Sequence, residues 1–257
     1  MTLSLPSLLQ AVAIPGLALM MAVAPMASAE KPASAPLGTI VLINPNSSDT
    51  ATQAMAALAE RETRGQARVV GVSNASAPRL LTTPEDMVAA SQGVVELGRQ
   101  AAEDPSTGAI IVSAFSDPGL DQLREAVDIP VFGIGEEVFH EAARDGRPFG
   151  IATITPDPAL IESFAAKAEA LGYLDQYRGT RVTPGDPVEL LDSPQVLDAA
   201  LADAIEASVS EDGAEAVIMG GGPLSDAALR LQDSTEVPLV IAVSAAAKAA
   251  IAALGRN

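Results

Sequence analysis

The stretch SAFSDPGL, Ser113 to Leu120, places two hydroxyls and a carboxylate between an apolar run and a helical pattern. The carboxyl end of a strand is where open α/β proteins bind ligands. Asp117 suits either a general base or the N-cap of a helix beginning near Leu120. Ser113 and Ser116 become nucleophiles only with a base beside them. The single histidine, His140, lies on a helical stretch, and the chain contains no G-x-S-x-G elbow. Glu136 and Glu137, just past the run PVFGI, are placed for proton transfer or for capping. With no cysteine in the chain, thiol nucleophiles, thiolate metal sites and disulfides are all excluded.

Three further turns share this address. Asn44-Pro45-Asn46-Ser47-Ser48 follows the first apolar run, Thr153-Ile154-Thr155 the fifth and Gly220-Gly221-Gly222 the sixth. Backbone N–H groups near helix starts, joined by small hydroxyl and amide side chains, hold a carboxylate or similar anion without a full positive charge. The four turns together predict one pocket for a small anion, with Asn44, Asn46, Ser47, Ser48, Ala114, Phe115, Thr153, Thr155, Gly221 and Gly222 as its lining. Gly220-Gly221-Gly222 lacks both the G-K-[ST] of a P-loop and the G-x-G-x-x-G spacing, and no metal-ligand cluster is visible. Neither a nucleotide nor a metal cofactor is expected.

The elements that must position these turns are strands and helices in alternation. Apolar runs at 38–43, 67–72, 108–115, 130–134, 149–155, 216–220 and 238–243 read as buried strands. Helical patterns lie between them at Thr50–Arg61, Thr83–Glu103, Leu120–Ala126, Glu137–Asp145, Pro158–Gly172, Ser193–Ser210 and Ala245–Leu254. Alternation predicts an α/β fold with parallel sheets flanked by helices. There is also an internal echo: residues 108–134 run strand, turn, helix with Leu123-Arg124, then a Pro-led strand, and residues 214–243 repeat that order with Leu229-Arg230 and Pro238. A duplicated unit predicts two pseudo-symmetric lobes with the ligand in the cleft between them.

Of the 257 residues, 48% are hydrophobic but only 3% aromatic, so the core is aliphatic and stacking platforms are scarce. Fifteen Lys plus Arg against 33 Asp plus Glu give a formal charge of -18, which repels phosphate backbones and argues against a nucleic-acid partner. Residues 1–29 carry no charged side chain and end in Ala27-Ser28-Ala29, an A-x-A cleavage pattern. They read as a secretory signal peptide, with 30–37 as a linker. The mature protein is then expected in the periplasm or outside the cell, without a membrane partner once the leader is cut. Oligomeric state is left open, a homo-oligomer included.

LINPNSS (42–48), SAFSDPGLDQLRE (113–125), PVFGIGEEVFHEA (130–142) and IMGGGPLSDAAL (218–229) resemble, in order and spacing, the aspartate/glutamate/hydantoin racemase family, the hydantoin racemase branch most closely. The resemblance implies two pseudo-symmetric α/β lobes, here 38–147 with 240–257 and 148–239, closing on an amino-acid derivative or cyclic imide. It also implies that two cysteines, one per lobe, would exchange the substrate's α-proton from positions 114 and 221. This chain has Ala114 and Gly221 there, and Ile241-Ala242 where the branch usually has an acidic residue and a glycine. Three readings follow: an isomerase that recruits Ser113, Ser116, Asp117 or Ser225, a binding protein that kept the pocket, or a lyase, decarboxylase or hydrolase on the same scaffold.

Overall fold

A computed structural model describes residues 37–79, 81, 84–221 and 224–256. The expected signal peptide, the linker up to residue 36, and Gly222 lie outside the described residues. The first sheet has the order β2-β1-β3-β4, built from β1 (Thr39–Asn44), β2 (Arg68–Ser73), β3 (Thr107–Val112) and β4 (Val131–Gly133). The second has the order β6-β5-β7-β8, built from β5 (Phe149–Thr153), β6 (Tyr177–Val182), β7 (Ala216–Met219) and β8 (Leu239–Val240). All pairings are parallel. The inner strands β1, β3, β5 and β7 are continuous apolar runs because neighbours and helices cover them on every side.

The echo in the sequence is a repeat in the hydrogen bonding. Past the end of β3, Ser113 N–H donates to Ile43 O at 2.8 Å; past the end of β7, Gly220 N–H donates to Ala152 O at 2.8 Å. Asn74 N–H meets Asn44 O at 2.9 Å in the first half, and Thr183 N–H meets Thr153 O at 2.9 Å in the second. Pro130 O and Pro238 O accept from Ile110 and Val217 at 2.9 and 3.0 Å. Asn44 therefore corresponds to Thr153, Ser113 to Gly220 and Ala114 to Gly221.

Helices α1 (Asp49–Thr63), α2 (Pro84–Ala102), α3 (Leu120–Ala126) and α4 (Ile134–Ala142) follow the strands of the first half. The second half has α5 (Pro158–Ala170), α6 (Pro187–Leu191), α7 (Pro194–Ser210), α8 (Ser225–Leu231) and α9 (Ala242–Leu254). The last helix of each half is exchanged. Val138, Phe139 and Ala142 of α4 bury themselves with Phe149, Ile151, Ala216 and Ile218 of the second sheet. Ala246, Ala247, Ala250 and Leu254 of α9 join the core containing Ile40, Leu42, Ala109 and Ile111 of the first. The two helices also pack on each other. Phe139, Phe149 and Phe164 are among the largest fully buried side chains, and truncating any one to alanine costs about 3–5 kcal/mol.

Several expected boundaries move. The run 108–115 leaves the sheet after Val112, because Ala114 O accepts the Asp117 N–H at 3.0 Å and closes a tight turn. Ile134 and residues 242–243 belong to helices, not strands, since the chain turns as soon as β4 and β8 have paired. Strand β6 is absent from the sequence reading: YRGTRV is polar, lies at a sheet edge and is nowhere fully buried, so it carries no apolar run. The five-residue α6 is likewise too short to show a period.

Candidate functional site

The turn after β1 is held by its own side chains. The Asn44 amide, 1% exposed, donates to Asn46 Oδ1 and Thr52 Oγ1 at 2.9 Å each and to Ser48 O at 3.3 Å. Its Oδ1 accepts the Asn46 N–H at 3.3 Å. Ser48 N–H donates to Asn46 Oδ1 at 2.9 Å, and the Ser48 hydroxyl caps α1 through the Ala51 N–H. Ser47 N–H reaches Pro78 O at 3.3 Å. The corresponding Thr153, fully buried, donates to Gly220 O at 2.9 Å and accepts the Thr155 N–H at 3.3 Å, tying the end of β5 to that of β7. Asn44 and Thr153 thus spend their polar atoms on shaping the strand ends, while Asn46, Ser47, Ser48 and Thr155 are half-buried at the rim. Buried Asn74, which has no motif around it, braces the same turn by donating to Pro45 O at 3.2 Å.

In the turn after β3, Ser113 is buried and its hydroxyl donates to Met55 Sδ at 3.0 Å, a weak acceptor and not a base. Ala114 and Phe115 are half-buried and Ser116 is exposed. Asp117 does not cap α3, whose N-cap is Gly119 without a side-chain bond. With φ at 50° its carboxylate swings to the first turn of α4, where Oδ1 accepts the Gly135 N–H at 2.8 Å. Oδ2 receives the Lys167 ammonium of α5 at 2.5 Å, and the same ammonium donates to Phe115 O at 3.1 Å. The Asp117 side chain is 6% exposed and that of Lys167 22%. Burial pushes the Asp117 carboxyl up from its ordinary value, and the Lys167 charge and hydrogen bond pull against that rise. Only glycine fits opposite this turn: a Cβ on Gly135 would stand 1.8 Å from Phe115 O, and one on Gly133 2.4 Å from Asp117 Oδ1.

The remaining ionisable candidates form a separate cluster. Arg124 grips Glu136 with two bonds at 3.0 and 3.1 Å and also donates to Val131 O at 3.1 Å. His140 meets Glu136 through Nε2 at 3.3 Å and the Tyr173 hydroxyl through Nδ1 at 2.8 Å. The His140 hydrogen bond and the Arg124 pair lower the Glu136 carboxyl to about 2, and Glu136 in turn raises the His140 imidazole. Burial raises Glu137. Glu136, Glu137 and His140 bring their ligand atoms within 4.8 Å, a grouping the sequence does not announce. A cation there would have to share Glu136 with a bidentate guanidinium, so the donor set fits a structural network better than a metal. The histidine serves Tyr173 and Glu136, not Ser113, Ser116 or Ser225.

In the second half, Gly221 closes a turn by accepting the Leu224 N–H at 3.0 Å, and half-buried Ser225 opens α8. Lys167 is the site residue that sequence reasoning missed. Its one signal is rarity: Lys31, Lys167 and Lys248 are the chain's lysines, against arginine everywhere else.

The Asp/Glu/Hydantoin racemase family matches residues 40–250. The hydantoin racemase of Rhizobium meliloti is 30% identical over 84% of this chain and 88% of its own, and that of Paenarthrobacter aurescens is 27% identical over 84% and 92%. Among solved structures, allantoin racemase from Klebsiella pneumoniae superposes with a TM-score of 0.75 at 24% identity, covering 85% of this chain and 88% of that one. Arylmalonate decarboxylase shares the fold at a TM-score of 0.58 and 18% identity, covering 84% and 92%.

Proposed function

The chain belongs to the Asp/Glu/hydantoin racemase family, and we propose that it binds a small carboxylate or cyclic imide between its two halves without racemising it by thiol chemistry. The observation carrying this reading is that Ala114 and Gly221 occupy corresponding positions past β3 and β7, in a chain without cysteine. A methyl group and a hydrogen cannot move protons. Losing a general acid and a general base forfeits on the order of 10²–10⁴-fold each. The neighbouring groups are otherwise engaged: Asp117 holds Lys167 and Gly135, Ser113 holds Met55, and His140 holds Glu136 and Tyr173. The hydantoin racemase relatives favour a five-membered cyclic imide as the first class to try.

The test is a thermal-shift titration of the mature protein with hydantoin, 5-substituted hydantoins and L-aspartate, with polarimetry on the same mixtures. A concentration-dependent rise in Tm without loss of optical rotation beyond the protein-free rate is expected. Absence of binding across the panel contradicts the reading, and accelerated loss of rotation turns it into an isomerase. We further propose a periplasmic or secreted protein, on the strength of the apolar leader and its Ala27-Ser28-Ala29 end. Expressed from the full chain in a Gram-negative host, the periplasmic product should begin at Glu30; a retained Met1 would contradict this.

A further inference from the structure

The turn that carries Ala114 is held from the other half of the molecule. Phe115 packs edge-on against Phe164 of α5, centroids 5.3 Å apart, and one helical turn further along the same helix Lys167 reaches Phe115 O and Asp117. Asp117 sits at a positive φ that few non-glycine residues adopt, and it keeps that backbone while its carboxylate joins α4 to α5. Gly133 and Gly135 leave the space that lets the turn approach α4.

We propose that Lys167 is a positioning residue: by pairing with Asp117 and Phe115 O it locks the 113–119 turn of the first half onto α5 of the second, in the geometry a ligand meets. The lock itself follows from the contacts above; its service to a ligand rests on the binding reading. An ion pair fits this task better than packing alone, because the carboxylate is buried and removing its partner leaves an uncompensated charge under the turn. That consequence sets the role apart from simple space filling. The groups facing Asp117 are Lys167 from α5, the Gly135 N–H, and Glu136 and Glu137 from α4, with Arg124 of α3 and His140 behind Glu136. All except Lys167 remain in a Lys167→Met variant, and the two carboxylates of α4 add to the penalty on a charged Asp117.

The variants to compare are Lys167→Met and the double change Lys167→Met with Asp117→Asn, read by Tm from pH 4 to 8 and by amide exchange of residues 113–119. Burial already holds the folded-state Asp117 carboxyl above its ordinary value in wild type, and losing the Lys167 charge and hydrogen bond raises it further in Lys167→Met. Stability relative to wild type should therefore hold at pH 4 and fall as pH rises, by on the order of 10 °C at pH 8. Exchange within 113–119 should quicken at least tenfold at pH 8, and the double variant should restore the parallel pH profile while its turn still exchanges faster than that of wild type. Measurement at pH 4 keeps the test open if the single variant unfolds at neutral pH. A Lys167→Met profile parallel to wild type, or unchanged exchange in the turn, overturns the proposal. If wild type binds no hydantoin, the binding reading fails while these two measurements still decide the lock.

Discussion

At the scale of single residues, the charges here serve position more than reaction. Glu136 illustrates the difference: its carboxyl lies at about 2, against 4.5 for an ordinary glutamate, because His140 and Arg124 bond its ionised form. A depressed folded-state value stabilises fully above pH 4.5 and is lost as pH falls through about 2. With Arg124 and His140 each about a third exposed, water screens part of that gain, leaving about 1–2 kcal/mol at neutral pH. Wild type should accordingly lose Tm more steeply than Glu136→Gln between pH 4.5 and 2, and stand a few degrees above it at pH 7; parallel acid profiles would contradict the pairing. Asp117 was conspicuous in the sequence beside Pro118-Gly119, but its role was not. Its partners lie 18 and 50 residues away, and local spacing pointed to α3 when the carboxylate caps α4.

At the scale of elements, runs that are buried on every side were readable and those at the margin were not. TIVLIN, TGAIIV and AVIM announce β1, β3 and β7, whereas β6 at an edge reads as loop. In the composition of α9 the exchange left no signal beyond small residues, since an alanine-rich face states that something packs closely without stating what; only the family resemblance tied 240–257 to the first half, and it gave no sign that α4 crosses to the second. Ala247 of α9 is fully buried in the core shared with the first sheet, while Ala252 is exposed. Ala247→Leu should destabilise by about 1–3 kcal/mol through overpacking, and Ala252→Leu should stay within about 0.5 kcal/mol of wild type. Urea unfolding of both variants checks this; equal midpoints would contradict the packing of α9.

At the scale of the whole molecule, a formal charge of -18 makes the folded chain repel itself. Added salt screens that repulsion over about 10 Å at 0.1 M, so Tm should rise from 20 mM to 1 M NaCl; a fall would mean that surface ion pairs outweigh the repulsion. The repeat of strand order and hydrogen bonds sets Ala114 and Gly221 at matching strand ends, the correspondence on which the proposed thiol-free binding depends. The direct measurement is α-hydrogen exchange of an enantiopure 5-substituted hydantoin in D₂O, followed by NMR for wild type and for the double variant Ala114→Cys with Gly221→Cys. Wild type should bind and exchange no faster than buffer, and the double variant should exchange measurably faster. Exchange catalysed by wild type, or a folded and hydantoin-binding double variant that catalyses none, would contradict the account.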